Sequence, residues 1–142
     1  MTEWRDELNQ FFVKTEVNRV QKESSELECF ITTVVMPAFE DLAKELEKHG
    51  RTTVIRNAVI SAALIVQNNG EEEMAYRILG RVLPNAVVPY VDLRFRERKG
   101  LRYLRTELMF RGAGTHYRLM DITRDEIIKN FLDNYMRRVK PL

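Results

Sequence analysis

The chain has 142 residues, 44% hydrophobic and 31% charged, with a net charge of only +2. That composition describes one soluble globular domain with room for a core, and it excludes disordered, collagenous and disulfide-framework classes. The small net charge hides a split: residues 1–49 carry six Lys/Arg against eleven Asp/Glu, net −5, and residues 90–119 carry eight against three, net +5.

The N-terminus is charged, Glu3-Trp4-Arg5-Asp6-Glu7, with no apolar run behind it, so no signal peptide is expected. The longest nearly apolar stretch, Ala58–Val66, falls far short of the ~20 residues of a membrane helix. The single cysteine, Cys29, cannot form an internal disulfide. A cytoplasmic location, with no membrane association, follows as the expectation.

Residues 3–49 are predicted helical. Leu27, Ile31, Val35, Ala38, Leu42 and Leu46 recur at spacings of four or three, and Phe30, Val34 and Phe39 widen the stripe into a core-facing surface. Cys29, beside Phe30, is expected to pack at the edge of that surface. Pro37 sits inside the pattern and predicts a kink or break. Gly50, after Lys48 and His49, supplies the stop.

Ahead of that stripe, Val13, Val17, Val20, Ser24, Leu27, Ile31 and Val34 follow a 4-3-4-3 spacing, the narrow seam of a coiled coil. Trp4, Leu8 and Phe11 add an apolar patch at the tip. The helix formers here are mediocre, so the segment needs a surface to lie against. Two arrangements follow. The arm folds back on its own sheet after a bend near Ser24-Ser25, where Ser25 and Glu28 have capping-box spacing. Otherwise it pairs with a second subunit, since an unbroken helix over 3–49 would be about 70 Å long and would project.

Residues 51–119 are predicted to form an antiparallel sheet, with strands at Thr52–Arg56, Val59–Gln67, Met74–Leu83, Val88–Arg96, Tyr103–Arg111 and a short Tyr117–Met120. Asn68-Asn69-Gly70 and Arg98-Lys99-Gly100 are turn sequences. Short connections favour a meander, and the doubly apolar Val59–Val66 run favours a central position for that strand. Pro84 and Pro89 are expected to bracket a loop outside the ladder. The final helix, Arg124–Val139, has Thr123 as N-cap, Glu126 as capping-box partner, Ile122 and Ile127 as a staple, and a buried face of Ile127, Ile128, Phe131, Leu132, Tyr135 and Val139.

The predicted fold class is therefore α+β: a long N-terminal helical segment, a five- to six-stranded antiparallel meander sheet, and a C-terminal amphipathic helix packed on one sheet face. Residues 1–23 form an arm, and 24–142 a single domain.

Catalytic signals are thin. His116 follows Gly112-Ala113-Gly114 with no carboxylate partner nearby in sequence, and His49 suits a helix C-cap. Asp92 with Glu97 and Lys99 outlines a metal-nuclease pattern, but the E-x-K falls at a hairpin tip and Asp92 is on the same strand. The Glu71-Glu72-Glu73 run has the look of a solvated turn. Neither a cofactor nor a metal site is expected, and no small-molecule ligand is identifiable.

The hairpin over 90–111 is more informative. By its period of two, Val91, Leu93, Phe95, Leu104, Leu108 and Phe110 face the core. The opposite face presents Tyr90, Arg94, Arg96, Tyr103, Arg105 and Arg111, a cation-and-ring surface of the kind that binds single-stranded nucleic acid. Asp92 and Glu107 share that face and can neutralise it. Within it, Lys99, Gly100, Tyr103 and Leu104 resemble part of the RNA-recognition-motif signature. Leu101, Arg102 and Thr106 depart from that signature, and no helix falls between the first two strands.

The leading expectation is a non-enzymatic interaction or scaffold protein, a homodimer joined through the seam Trp4, Leu8, Phe11, Val13, Val17 and Val20. The alternatives are a nucleic-acid-binding accessory protein using the hairpin and an enzyme using His116.

Overall fold

The structure, a computed structural model, describes residues 3–83, 86–96, 102–112 and 117–139, the side chains of 14–24 and 86 excepted. It is an α+β fold of a five-stranded antiparallel sheet with helices on one face. Helix α1 (Glu3–Phe30) runs through a π-helical turn (Ile31–Val35) into α2 (Met36–Lys48). Strands β1 (Thr52–Ala58), β2 (Ser61–Asn68), β3 (Glu71–Leu83), β4 (Ala86–Arg96) and β5 (Tyr103–Met109) follow, then a 3-10 turn (Leu119–Asp121) and α3 (Arg124–Arg138).

The helix does not bend at Ser24-Ser25, and no cap forms there, because α1 continues to Phe30. The irregularity lies at the π turn, immediately before Pro37. There Met36 donates its N–H to the Ile31 carbonyl, five residues back. Pro37 has no N–H to give to an α-helical partner, so the widened turn hands the helix over to a new segment that Pro37 can begin.

The meander order is β1-β2-β3-β4-β5, each pair antiparallel. Asn69 and Gly70 both adopt positive φ, 54° and 81°, closing the β2–β3 hairpin in the twist its strands require. Val59 and Ile60 turn out to be the β1–β2 turn rather than strand, both exposed. Pro89 lies inside β4, opposite Gly80, and not in a loop. The pairing with β5 ends at Tyr90, so β4 is an edge at Pro89 and its missing N–H costs little there. The short strand expected at 117–120 is a 3-10 turn instead. The Asp121 carboxylate accepts from the Arg118 N–H at 2.8 Å and holds it. Pro84 and the Arg98-Lys99-Gly100 turn lie outside the described residues.

One face of the sheet carries the core. Leu64, Val66, Met74, Tyr76, Ile78, Val91 and Leu93 are fully enclosed, and Phe30, Ile31, Val35, Phe39, Ile127 and Phe131 descend on them from the helices. At Gly80 α1 packs close on the sheet: a Cβ there would stand 2.8 Å from Val87 Cγ1 and 3.0 Å from Leu27 Cδ2. Cys29, expected at the packed edge, is exposed.

Helix α3 is capped by Thr123, whose hydroxyl accepts from the Glu126 N–H at 3.1 Å. The Glu126 carboxylate does not complete the box. It turns to Arg111, at 3.1 Å. The polar atoms beneath this helix are satisfied internally: Tyr76 donates to Asn130 Oδ1 at 2.6 Å, and buried Asn134 donates to the Asn130 carbonyl at 2.8 Å.

Glu73 ties β3 to α3 and to the connection between α2 and β1. It is the extra residue of a β-bulge, because Val66 pairs with Met74 and Gln67 with Glu72. The bulge aims Glu73 at the helix side, where it accepts from Arg51 Nε at 3.1 Å and from the Tyr135 hydroxyl at 2.7 Å. Burial, and then the hydrogen bond to Glu73, push the Tyr135 phenol from 10.0 up to about 12. Burial raises Tyr76 well above its ordinary value too. A folded-state pKa above the unfolded one stabilises the fold below the unfolded value and loses that contribution as pH rises through the folded one. Urea midpoints are therefore expected to fall between about pH 10 and about pH 12, and Tyr135→Phe to flatten part of that fall. Parallel pH profiles for variant and wild type would contradict this linkage.

Candidate functional site

Two surfaces remain outside the core: the first turns of α1 and the outer face of the sheet. Every residue from Glu3 to Val13 is exposed, on all sides of the helix. Trp4, Leu8, Phe11, Phe12 and Val13 are 48–63% exposed, so residues 3–13 are not covered by the sheet. Phe11 and Phe12 meet edge to face at 5.5 Å, and the Arg5 guanidinium lies 5.1 Å from the Trp4 ring. The side chains of Val17 and Val20 lie outside the description.

On the outer face the strand register sets the neighbours. Arg56, Ala63, Arg77, Asp92 and Glu107 form one row across the five strands, and Val54, Ile65, Ala75, Arg94 and Arg105 the next. The small side chains of Ala63 and Ala75 leave a shallow basin of about 280 Å³, walled by Arg56, Arg77, Arg94 and Arg105.

The carboxylates on this face are already engaged. Arg94 grips Glu72 with both Nε, at 2.8 Å, and Nη2, at 2.6 Å. Arg105 grips Asp92 the same way, through Nε at 2.7 Å and Nη2. These bidentate hydrogen bonds, each the first cause, hold both guanidiniums above their ordinary pKa. The carboxylate side chains are 18% and 13% exposed while their arginines are 52% and 71% exposed, so the face turns its positive ends outward.

Of the six hairpin residues singled out from sequence, five lie on this face. Arg96 is tied to Glu71. Tyr90 sits under the Arg81 guanidinium at 4.6 Å, and Tyr103 near that of Arg94 at 5.9 Å, so both rings already have cationic neighbours. Arg111 leaves the face: beyond the end of β5 it bonds Glu126 and, at 3.0 Å, the Asp121 carbonyl. Sequence reasoning missed Arg56 and Arg77, whose alternation within their own strands was readable but whose juxtaposition needed the register of three strands.

His116, Glu97 and Lys99 lie outside the described residues, and His49 ends α2 as a C-cap. Among the described residues no three His, Cys, Asp or Glu side chains are grouped to hold a metal ion.

No family model matches the chain, and no solved structure matches it. Among curated proteins it is similar to a glycine betaine transporter of Acinetobacter baylyi, 25% identical over 115 residues. Those residues are 80% of this chain and 17% of the transporter, so the chain spans about a sixth of the length of the curated relative it matches. Among the described residues no helix is long and apolar enough to cross a membrane.

Proposed function

We propose that the chain is a non-catalytic interaction module that self-associates through the N-terminal half of α1. The observation that carries this is the arm itself, which offers Trp4, Leu8 and Val13 to solvent, with no surface among the described residues covering them. A helix with an exposed apolar seam gains most of its stability by docking. A second copy is the favoured partner because the 4-3-4-3 spacing of the seam is the one by which two copies of a helix pair. The partial coverage of the transporter supports a unit that recurs within a longer chain. Nucleic acid on the hairpin is a weaker reading, since Arg94, Arg96 and Arg105 are neutralised by carboxylates.

Light scattering tests the proposal. At micromolar concentration the chain is expected to weigh twice its 16.8 kDa. Leu8→Asp with Phe11→Asp is expected to return it to a monomer with unchanged circular dichroism in the strand region. A monomeric wild type, or a double variant that stays dimeric, would end the proposal.

A further inference from the structure

The row Arg56–Ala63–Arg77 has a property that self-association does not use. Asp92, the cross-strand neighbour of Arg77, has both oxygens held by Arg105. Glu72, the other acid of the basin, has both oxygens held by Arg94. Arg56 and Arg77 are therefore left without an ion-pair partner among the described residues. They stand on β1 and β3, two strand spacings or about 10 Å apart, with only the methyl group of Ala63 between them.

We propose that this basin binds a small phosphate-bearing molecule, its phosphate seated over Ala63 between the Arg56 and Arg77 guanidiniums. A single carboxylate is satisfied by one fork, as Asp92 is by Arg105. A tetrahedral phosphate has enough oxygens for two forks approaching from opposite sides. The basin of about 280 Å³ lies at the small end of ligand pockets, which suits a compact molecule. A nucleic-acid backbone would need a continued track of available cations. Here the neighbouring Arg81, Arg94, Arg96 and Arg105 are each engaged by an acid. Among the described residues of this face, the arginines without an ion-pair partner are therefore Arg56 and Arg77, side by side over Ala63.

Calorimetry on the full chain with inorganic pyrophosphate, at low ionic strength, tests this without reference to oligomeric state. One saturable site per chain is expected. Arg56→Gln with Arg77→Gln is expected to weaken it by at least about tenfold. Lys44→Gln with Lys129→Gln removes the same charge from α2 and α3, on the other side of the sheet, and is expected to change affinity less than about twofold. Ala63→Ile fills the floor with no change in charge and is expected to block binding; its fold is checked by circular dichroism. Absence of binding to the wild type, or equal weakening in the two double variants, would overturn the proposal. Retained affinity in a folded Ala63→Ile variant would overturn the seat over Ala63.

Discussion

Phe131→Ala is expected to cost about 3–5 kcal/mol and to lower the melting temperature by on the order of 10 °C. The Phe131 ring is fully buried on α3, above the sheet. It meets the Tyr76 ring edge to face at 5.2 Å and stacks on Tyr135 at 5.6 Å. Tyr76 in turn meets Phe39 of α2 at 6.0 Å, so one chain of rings links α2, β3 and α3. Removing the central ring loses its own burial and leaves a void whose walls are held in place: Tyr76 by Asn130 and Tyr135 by Glu73. Walls anchored in this way cannot collapse into the space, which puts the cost at the upper part of the range for such substitutions. Phe131→Leu is expected to recover more than half of the loss. A cost below about 1.5 kcal/mol for the alanine variant would show that α3 is not fixed to the sheet by this ring.

The second large effect is expected at Glu73. Glu73→Ala leaves the Arg51 guanidinium and the Tyr135 hydroxyl without their partner in a region where the Arg51 and Glu73 side chains are 26% and 15% exposed. The expected loss is about 2 kcal/mol, set by two partly buried polar groups rather than by the Coulomb attraction itself. Glu107→Ala is the fitting comparison, because that carboxylate also pairs with an arginine, Arg81, but is 58% exposed. There the expected cost is about 0–1 kcal/mol. Equal denaturation midpoints for the two variants would refute the role given to the bulge.

These two positions also mark where sequence reasoning succeeds and where it stops. The α3 face containing Phe131 was readable from helical spacing, and its start from Thr123, since both signals act within a few residues. The strand parity of the hairpin was readable for the same reason. Glu71-Glu72-Glu73 was not. Three identical residues beside a turn look like a solvated run, yet each has its own distant partner: Arg96, Arg94 and Arg51. A single bulge shifts the strand parity there, so that Glu72 reaches the outer face and Glu73 the helix side rather than the reverse, and nothing in the local sequence announces it. Pro89 misled in a related way. A proline normally argues against a strand, but its cost depends on whether a neighbour is present at that point of the ladder. The Arg56–Arg77 pair belongs to the same class, since it exists only once three strands are in register.

The π turn at Ile31–Val35 has a further consequence. An added residue in one turn rotates everything on its N-terminal side by about 100° relative to an unbroken helix. Leu27, Ile31 and Val35 follow one another at intervals of four, a spacing that would drift around a regular helix, yet all three are buried against the sheet. The widened turn thus acts as a phase adjuster. It sets the azimuth of the exposed Trp4–Val13 stripe independently of the face that α2 must present to the core. A chain one residue shorter within 31–35 could keep every core contact of α2 while pointing its arm in a different compass direction.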